Sequence, residues 1–599
     1  MPEIPSHTDV DPARPTLRPT IRGTRGMVSS GQHLASLAGL RMLERGGNAV
    51  DAGVAAGICL AVVQSDLVNF GGVAPILVFQ AETGRVHSIA GLGRWPGAAT
   101  AAYFRERHGG QIPAGALCSV VPAAPDAWVR ALQSFGTATF GEAAAEAIAL
   151  AEEGFPMHEF MANNLRADAE TLSQWPSSAE VFLPAGRPPE PGELFRQPAL
   201  GRTLRRMAEA ERNHGNAGRE AALEAARREF YEGAIAAELL DFHRRHGGML
   251  TPEDLAAYRS SIEPAPCVGF HGYDVHGCGA WCQGPTLLEA LNLLEGFDLA
   301  ALGHNSAAYV HTLTECFKLA FADREAFIGD PDFVDVPLEG LLSKAYAEAR
   351  RGLVDPERAW TEMPPAGDPW VHEPARRPAA GAVPASSGET AGTPLSAAGG
   401  ETHDGWDTSH VCAIDRWGNA FSATPSDAPF NTPIVPGLGI IVSGRGSQSW
   451  TEEEHPASIA PGKRPRLTPN PAIVTRNGKA VMAFGTPGGD VQIQVMAQVL
   501  LNVLLFGMDP QAAVEAPRFA TYNYPSSFAP HATIKGLLRM EGRLPASVRE
   551  RLAALGNTIE VWPDFSWRAG GICATLRDEK TGVLLGAADP RRECYAVGW

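Results

Sequence analysis

The sequence predicts a layered α+β domain built from two chain segments, and three observations carry that prediction. Helical spacing dominates the first 360 or so residues. A run rich in Pro, Gly, Ala and Ser with almost no large apolar residues follows at 363–405. After it the texture turns to short strands around one long helix. The chain has 599 residues, 44% hydrophobic and 20% charged, an ordinary globular balance long enough to bury a large core without disulfides. There is no internal repeat.

The elements follow in order. Residues 34–63 read as two helices, with Gly46-Gly47-Asn48 closing the first and Asp51 near the start of the second. Gly71-Gly72 leads into a strand-like run from Ile76 to Phe79. Residues 140–154 and 219–246 carry helical spacing of Ala and Glu. Thr251-Pro252-Glu253-Asp254 is a helix start: a Thr cap, Pro at the first position and acids in the first turn. Residues 306–328 form a further helix. The segment at about 363–407 reads as flexible. Beyond it, 409–414 and 420–424 form a hairpin, and 471–476 and 479–484 form another around Asn477-Gly478. A helix at 491–506 and a strand pair at 572–577 and 583–588 complete the chain.

Composition narrows the function classes. The net charge of −17 argues against nucleic acid or an anionic membrane as the main partner. The first 30 residues are polar and Pro-rich without an apolar core, and no run of 18 apolar residues occurs, so neither a secretory signal nor a membrane span is expected. The nine cysteines are scattered and odd in number. Free thiols in a reducing cytoplasm are the expectation.

The stretch DTSHVCAIDRWGNAFSATP at 407–425 is where chemistry enters. Thr408 stands immediately before an apolar strand and behind a dispensable segment. Cleavage between Asp407 and Thr408 would free an α-amino group on the residue that carries the hydroxyl. That amine, with an unperturbed pKa of roughly 7.7–8.0, can activate its own side chain. This is the requirement of a self-cleaving N-terminal nucleophile hydrolase. GTPGGD at 485–490 puts two glycines before a helix, where backbone N–H groups are free.

Taken with GMVSSGQHLAS at 26–36, GGNAVDAGVAAG at 46–57, KLAFADREAFIGDPDF at 318–333, PGKRPRLTPNPAIV at 461–474 and DPRRECYAVGW at 589–599, these motifs identify a resemblance across nearly the whole chain. The sequence resembles the γ-glutamyltranspeptidase family of the N-terminal nucleophile hydrolases. The resemblance implies a four-layer αββα sandwich made as one precursor and cut before Thr408. Residues 1–407 would form a large subunit and 408–599 a small one. A homodimer of such heterodimers is left open. Thr408 matches the family nucleophile, Ser426 the second hydroxyl that bonds it, and Gly488-Gly489 the oxyanion pair. Each oxyanion donor is worth about 2.7–4 kcal/mol of barrier. No metal or organic cofactor is implied.

The head-group pocket departs from the γ-glutamyl pattern. Leu92 falls where the family Arg is expected, and Leu467 and Thr468 stand where a Ser pair would grip a carboxylate. The stretch from Ser443 to Gln448 holds no acid for an α-amino group. Loss of one partner of a buried charge pair costs several kcal/mol. The motif set is thus closer to the γ-glutamyltransferase-like amidohydrolases and acylases. Their substrate would be a small-molecule amide, a carboxylate-bearing one if Arg445 acts as a planar clamp. Arg94 and Thr468 are the other candidate substrate residues. A true γ-glutamyltransferase and glutathione hydrolase is the alternative. An unprocessed, non-catalytic binding protein is the alternative from another class, against which the intact Thr408 and glycine pair argue.

The remaining candidates read as structural. His410 alternates with apolar neighbours as a satisfied strand residue, and His243 and His246 read as solvent-facing on a charged helix. Asp490 reads as the cap of the helix near Val491. His311 with Glu315, and Cys278 with Cys282, lack the partners of a metal site. Lys463, Arg464 and Arg466 are too few for a nucleic-acid footprint.

Overall fold

A computed structural model describes residues 16–376 and 408–599. Two antiparallel seven-stranded sheets stack face to face. In the first, strand order is Tyr595–Gly598, Gly26–Ser30, Val411–Asp415, Ala420–Ala423, Ile76–Gln80, Arg85–Ile89 and Ile262–Pro264. In the second it is Ile21–Gly23, Leu584–Ala588, Cys573–Arg577, Lys479–Gly485, Ala472–Arg476, Tyr273–His276 and Cys267–Phe270. Both sheets draw strands from both sides of residue 408, which makes the two segments one folded body.

Alternation along each strand builds the layers. Val411 and Ala413 face one core while Cys412 and Ile414 face another, and Ile76 and Val78 oppose Leu77 and Phe79 in the same way. The core between the sheets is made largely of small or flat contacts from Cys412, Ala483, Cys573 and Ala588, with Leu77 and Leu584. Helices His33–Glu44 and Ala49–Val63 cover the outer face of the first sheet. Helices Gly284–Leu294, Ala307–Phe327 and Gln492–Leu504 cover the second. The result is the four-layer αββα sandwich.

Most predicted elements stand where the periodicity put them. Asn477 and Gly478 both take positive φ, 51° and 70°, and close the hairpin Ala472–Arg476 to Lys479–Gly485. Asn48 differs in role: it caps the second helix, accepting from Val50 and Asp51, rather than ending the first. Residues 363–376 also differ from expectation. They are not loose: Trp370 is buried beside Tyr346 and Leu341, and the Gly367 N–H donates to Asp323 at 2.7 Å. A single Trp anchors a segment whose remaining composition reads as unstructured. The rest of the expected flexible run, with Asp407, lies outside the described residues. His243 is buried, not solvent-facing, and burial pushes it down to about 4. His246, which caps the C-terminus of the same helix, is exposed.

The end of helix Ala49–Val63 is tied to the C-terminal segment by a half-buried histidine. His158 presents Nε2 to the Val63 carbonyl at 2.7 Å and Nδ1 to the Glu593 carboxylate. Burial alone would lower its pKa, but Glu593 and the carbonyl outweigh burial and hold it above the ordinary value, while Glu593 is held low. A raised pKa means the imidazolium contributes its full stability below the unfolded value of about 6.5 and loses it as pH rises through the folded one. The melting temperature of wild type is therefore expected to fall from neutral to alkaline pH more steeply than that of His158→Gln. Parallel melting curves across that range would remove His158 from the pH response.

No helix among the described residues is long and apolar enough to cross a membrane. All nine cysteines are free thiols.

Candidate active site

Thr408 opens the central hairpin. It bridges Ser426 across the two strands, and its Oγ1 lies 2.8 Å from Ser426 Oγ. Both residues are buried. The next residue, Ser409, donates its N–H to Pro425 O at 3.1 Å and its hydroxyl to Gln64 Oε1 at 2.6 Å, so the start of the strand is held from two sides. Gln64 directly follows the helix whose end His158 anchors.

Behind Ser426 stands Arg445, only 1% exposed. Its Nη2 donates to Ser426 Oγ, its Nε donates to Asp427 Oδ1 at 2.6 Å, and its Nη1 reaches Gln448 Oε1 at 3.4 Å. Ser443 donates to the other oxygen of Asp427 at 2.5 Å. Gln448 in turn donates to Thr468 Oγ1 at 2.8 Å. The Ser443–Gln448 stretch holds no acid, but Asp427 lies against it, and its charge is matched to Arg445. Asp427 holds φ at 105°, a conformation a non-glycine residue adopts only when its surroundings fix it. The ion pair and Ser443 provide that fixing.

The glycine turn ends strand Lys479–Gly485. Gly488 and Gly489 take φ of 126° and 55°, and a short 3₁₀ turn, Gly489–Val491, leads into helix Gln492–Leu504. That strand and Thr408 are close: a Cβ on Gly485 would fall 2.4 Å from the His410 ring, two residues from Thr408. Phe528 joins the two halves of the site. A Cβ on Gly489 would meet its ring edge at 3.5 Å, and the Arg445 guanidinium carbon lies 5.8 Å from its centroid.

Two large-segment residues brace the turn. Gln283 Nε2 donates to Gly489 O at 3.1 Å and to Thr468 O at 2.7 Å. Arg324, fully buried, pairs with Asp490 and donates to Pro525 O at 3.1 Å. Asp490 also accepts from the Ser527 N–H and hydroxyl, at 2.8 and 2.6 Å. The expected cap role for Asp490 is therefore wrong. Helix Gln492–Leu504 has no side-chain cap, because the Asp490 carboxylate is taken by a buried guanidinium, a stronger partner than free amides.

The structure brings together Thr408, Ser426, Arg445 and Thr468, and Gln283 and Phe528 link Gly489 to Thr468 and Arg445. It does not bring Arg94. That guanidinium pairs with Asp332 at 2.6 Å and donates to Gly462 O at 2.9 Å, in a partly exposed ion cluster with Asp330 and Arg464. Leu92 and Leu467 belong to the core between the sheets, so they pack rather than line a pocket. His410 is satisfied by Thr424 at 3.0 Å and Ser422 at 3.4 Å, and burial pushes it down to about 3, which leaves it neutral and a poor base at physiological pH. Lys463, Arg464 and Arg466 are buried; Arg464 and Arg466 are spent on Asp330 and Glu325. Among the described residues no group of His, Cys, Asp and Glu is placed to hold a metal.

Sequence reasoning missed Asp427, Gln283, Arg324 and Phe528. Asp427 sits beside Ser426 and could have been flagged for that adjacency. Gln283 and Phe528 lie 120 or more residues from Thr408 and carry no local signal, while Arg324 lies within the KLAFADREAFIGDPDF motif at 318–333, which marks no role for it.

A profile of the family described as gamma-glutamyltranspeptidase matches residues 35–599. The glutathione hydrolase-like YwrD proenzyme of Bacillus subtilis (strain 168) is 32% identical over 586 residues, 97% of this chain and 99% of that protein. The acylase ACY 1 proenzyme of Pseudomonas sp. (strain SE83) is 32% identical over 586 residues, 94% of this chain and 92% of that one. The crystal structure of cephalosporin acylase from Bacillus halodurans superposes with a TM-score of 0.83 at 29% identity, covering 99% of this chain and 98% of its own. With a family match over nearly the whole length, and a strand-initial Thr408 paired to Ser426 between two stacked sheets, this chain belongs to the gamma-glutamyltranspeptidase family.

Proposed function

We propose that the chain is a self-cleaving amide hydrolase of the acylase kind, acting through an acyl ester on Thr408. The observation that carries the reading is the 2.8 Å contact between Thr408 Oγ1 and Ser426 Oγ at the head of the central hairpin. The proenzyme names of its relatives support maturation into two subunits. Cleavage between Asp407 and Thr408 exposes the amine. Thr408 Oγ1 then attacks the amide carbonyl, and its proton passes to the Thr408 amine. The N–H groups of Gly488 and Gly489 receive the oxyanion. The amine returns the proton to the leaving nitrogen, the C–N bond breaks, and water releases the acyl group by the same path in reverse.

The substrate is an amide whose acyl part lacks an α-amino group. A γ-glutamyl donor brings a buried ammonium, which needs a free carboxylate. Asp427 is the acid at hand, and Arg445 occupies it. Asp427 is also the one observation that favours a true γ-glutamyltransferase, in which the ammonium would displace Arg445 from it. The two readings separate in a panel of anilides sharing one leaving group. Simple acyl anilides should exceed the γ-glutamyl anilide in kcat/KM by two or more powers of ten, at about 1.36 kcal/mol each. Glutathione turned over as efficiently as the best simple amide would establish the transferase instead.

A further inference from the structure

We infer that Arg445 is a positioning residue for the nucleophile, acting through Ser426, and not a clamp for a substrate carboxylate; the inference rests on the reading of Thr408 as the attacking group. A guanidinium only donates. Its Nη2 donates to Ser426 Oγ, whose own hydroxyl proton can then serve Thr408 Oγ1, 2.8 Å away, a contact in which either oxygen could donate. The three groups form a chain from a buried positive charge to the reacting oxygen. Hydrogen bonds in such a chain polarise one another, and the low dielectric of a fully buried site strengthens them.

The guanidinium is fixed in that duty on its other edges. Nε holds Asp427 at 2.6 Å, Ser443 steadies the same carboxylate at 2.5 Å, and Nη1 faces Gln448 at 3.4 Å. Turning toward a ligand would leave Asp427 a buried, unpaired anion. Asp427 offsets the cost of burying the cation, while the Nη2 edge stays committed to Ser426. The ion pair sits in contact with the dyad rather than across an open space from it.

No bond is made or broken by Arg445 or Ser426. As Thr408 Oγ1 bonds to the acyl carbon, its proton goes to the Thr408 amine. Ser426 keeps its proton and donates a hydrogen bond to the oxygen while negative charge passes through it. Arg445 stays protonated throughout.

The test is acylation of Thr408 by two activated esters of matched shape, p-nitrophenyl butyrate and p-nitrophenyl succinate, followed by the nitrophenolate burst and by the intact mass of the small subunit. Removing a hydrogen bond from a charged donor should lower the acylation rate by roughly 10- to 100-fold. For Arg445→Met that loss should be the same for both esters, with half-saturating concentrations unchanged. Arg445→Lys should recover most of the rate. In a Ser426→Ala background, Arg445→Met should cost nothing further. The same order is expected for self-cleavage of purified precursor, so a variant that matures slowly still reports. A rise in half-saturation confined to the succinyl ester would make Arg445 a carboxylate clamp and overturn the inference. So would full additivity with Ser426→Ala, or maturation of Ser426→Ala where both Arg445 variants stay uncut. Wild type that forms no ester at Thr408 would overturn the proposed function together with it.

Discussion

Thr408→Ala is expected to remain a single 63.5 kDa chain and to hydrolyse no amide. Wild type should resolve into fragments of about 43 and 20 kDa, the shares of the two segments at ordinary residue masses, and the smaller should begin Thr-Ser-His. The substitution removes one hydroxyl from a buried position held by Ser426. The hairpin itself is secured by backbone pairing from Val411–Ala423 onward, so the fold should survive. Thr408→Ser should keep part of both activities, because a hydroxyl and its neighbouring amine remain. Blocking that amine chemically in the mature enzyme should abolish turnover, since the base is then lost. His410, neutral and already satisfied by Thr424, is not placed to substitute. An uncut wild type under every condition tested would remove the catalytic reading, and full activity after amine blockade would demand another base.

Gly488→Ala is expected to lower kcat by roughly 10²–10³-fold, the loss typical of one missing oxyanion donor, with little change in KM. Space is not the constraint: an added Cβ would find Val491 Cβ at 3.7 Å as its nearest neighbour. Conformation is. The φ of 126° lies outside what an L side chain adopts, so the peptide planes flanking Gly488 would rotate and their N–H groups with them. Gly489, at φ of 55°, is in the left-handed helical region that Ala tolerates at about 1–2 kcal/mol. Gly489→Ala should therefore be the milder of the two. The flanking anchors, Gln283 on Gly489 and Arg324 on Asp490, oppose any wider rearrangement, which keeps the effect local. A kcat for Gly488→Ala within twofold of wild type would take the oxyanion role away from this turn.

The sequence by itself determined the class of the fold and most helices and hairpins, and it singled out Thr408 as the candidate nucleophile. The elements are legible because they depend on short-range physics. Period-2 alternation splits Val411 and Ala413 from Cys412 and Ile414, and Asn477-Gly478 admits two positive φ values; Thr408, a common residue at a strand start, stands out only through the family motifs around it. Its errors were also local in origin. Proline- and alanine-rich composition hid the one buried Trp370, and an acid before a helix was read as a cap although a buried Arg324 claims it. Only the tertiary structure decided what surrounds Thr408. Arg445 was visible as an isolated cation between glycines, yet its meaning depends on Asp427, Ser426 and Gln448 meeting it in space. Leu92 and Leu467 sat at positions where a pocket was expected and fill the space between sheets instead. A charged side chain's role is set by which partners share its low-dielectric surroundings. For Arg324 the partner Asp490 is 166 residues away, and for Arg445 the partners lie 3 to 19 residues away but outside any α-helix or β-strand, so in neither case does helical or strand spacing indicate which neighbour meets the charge.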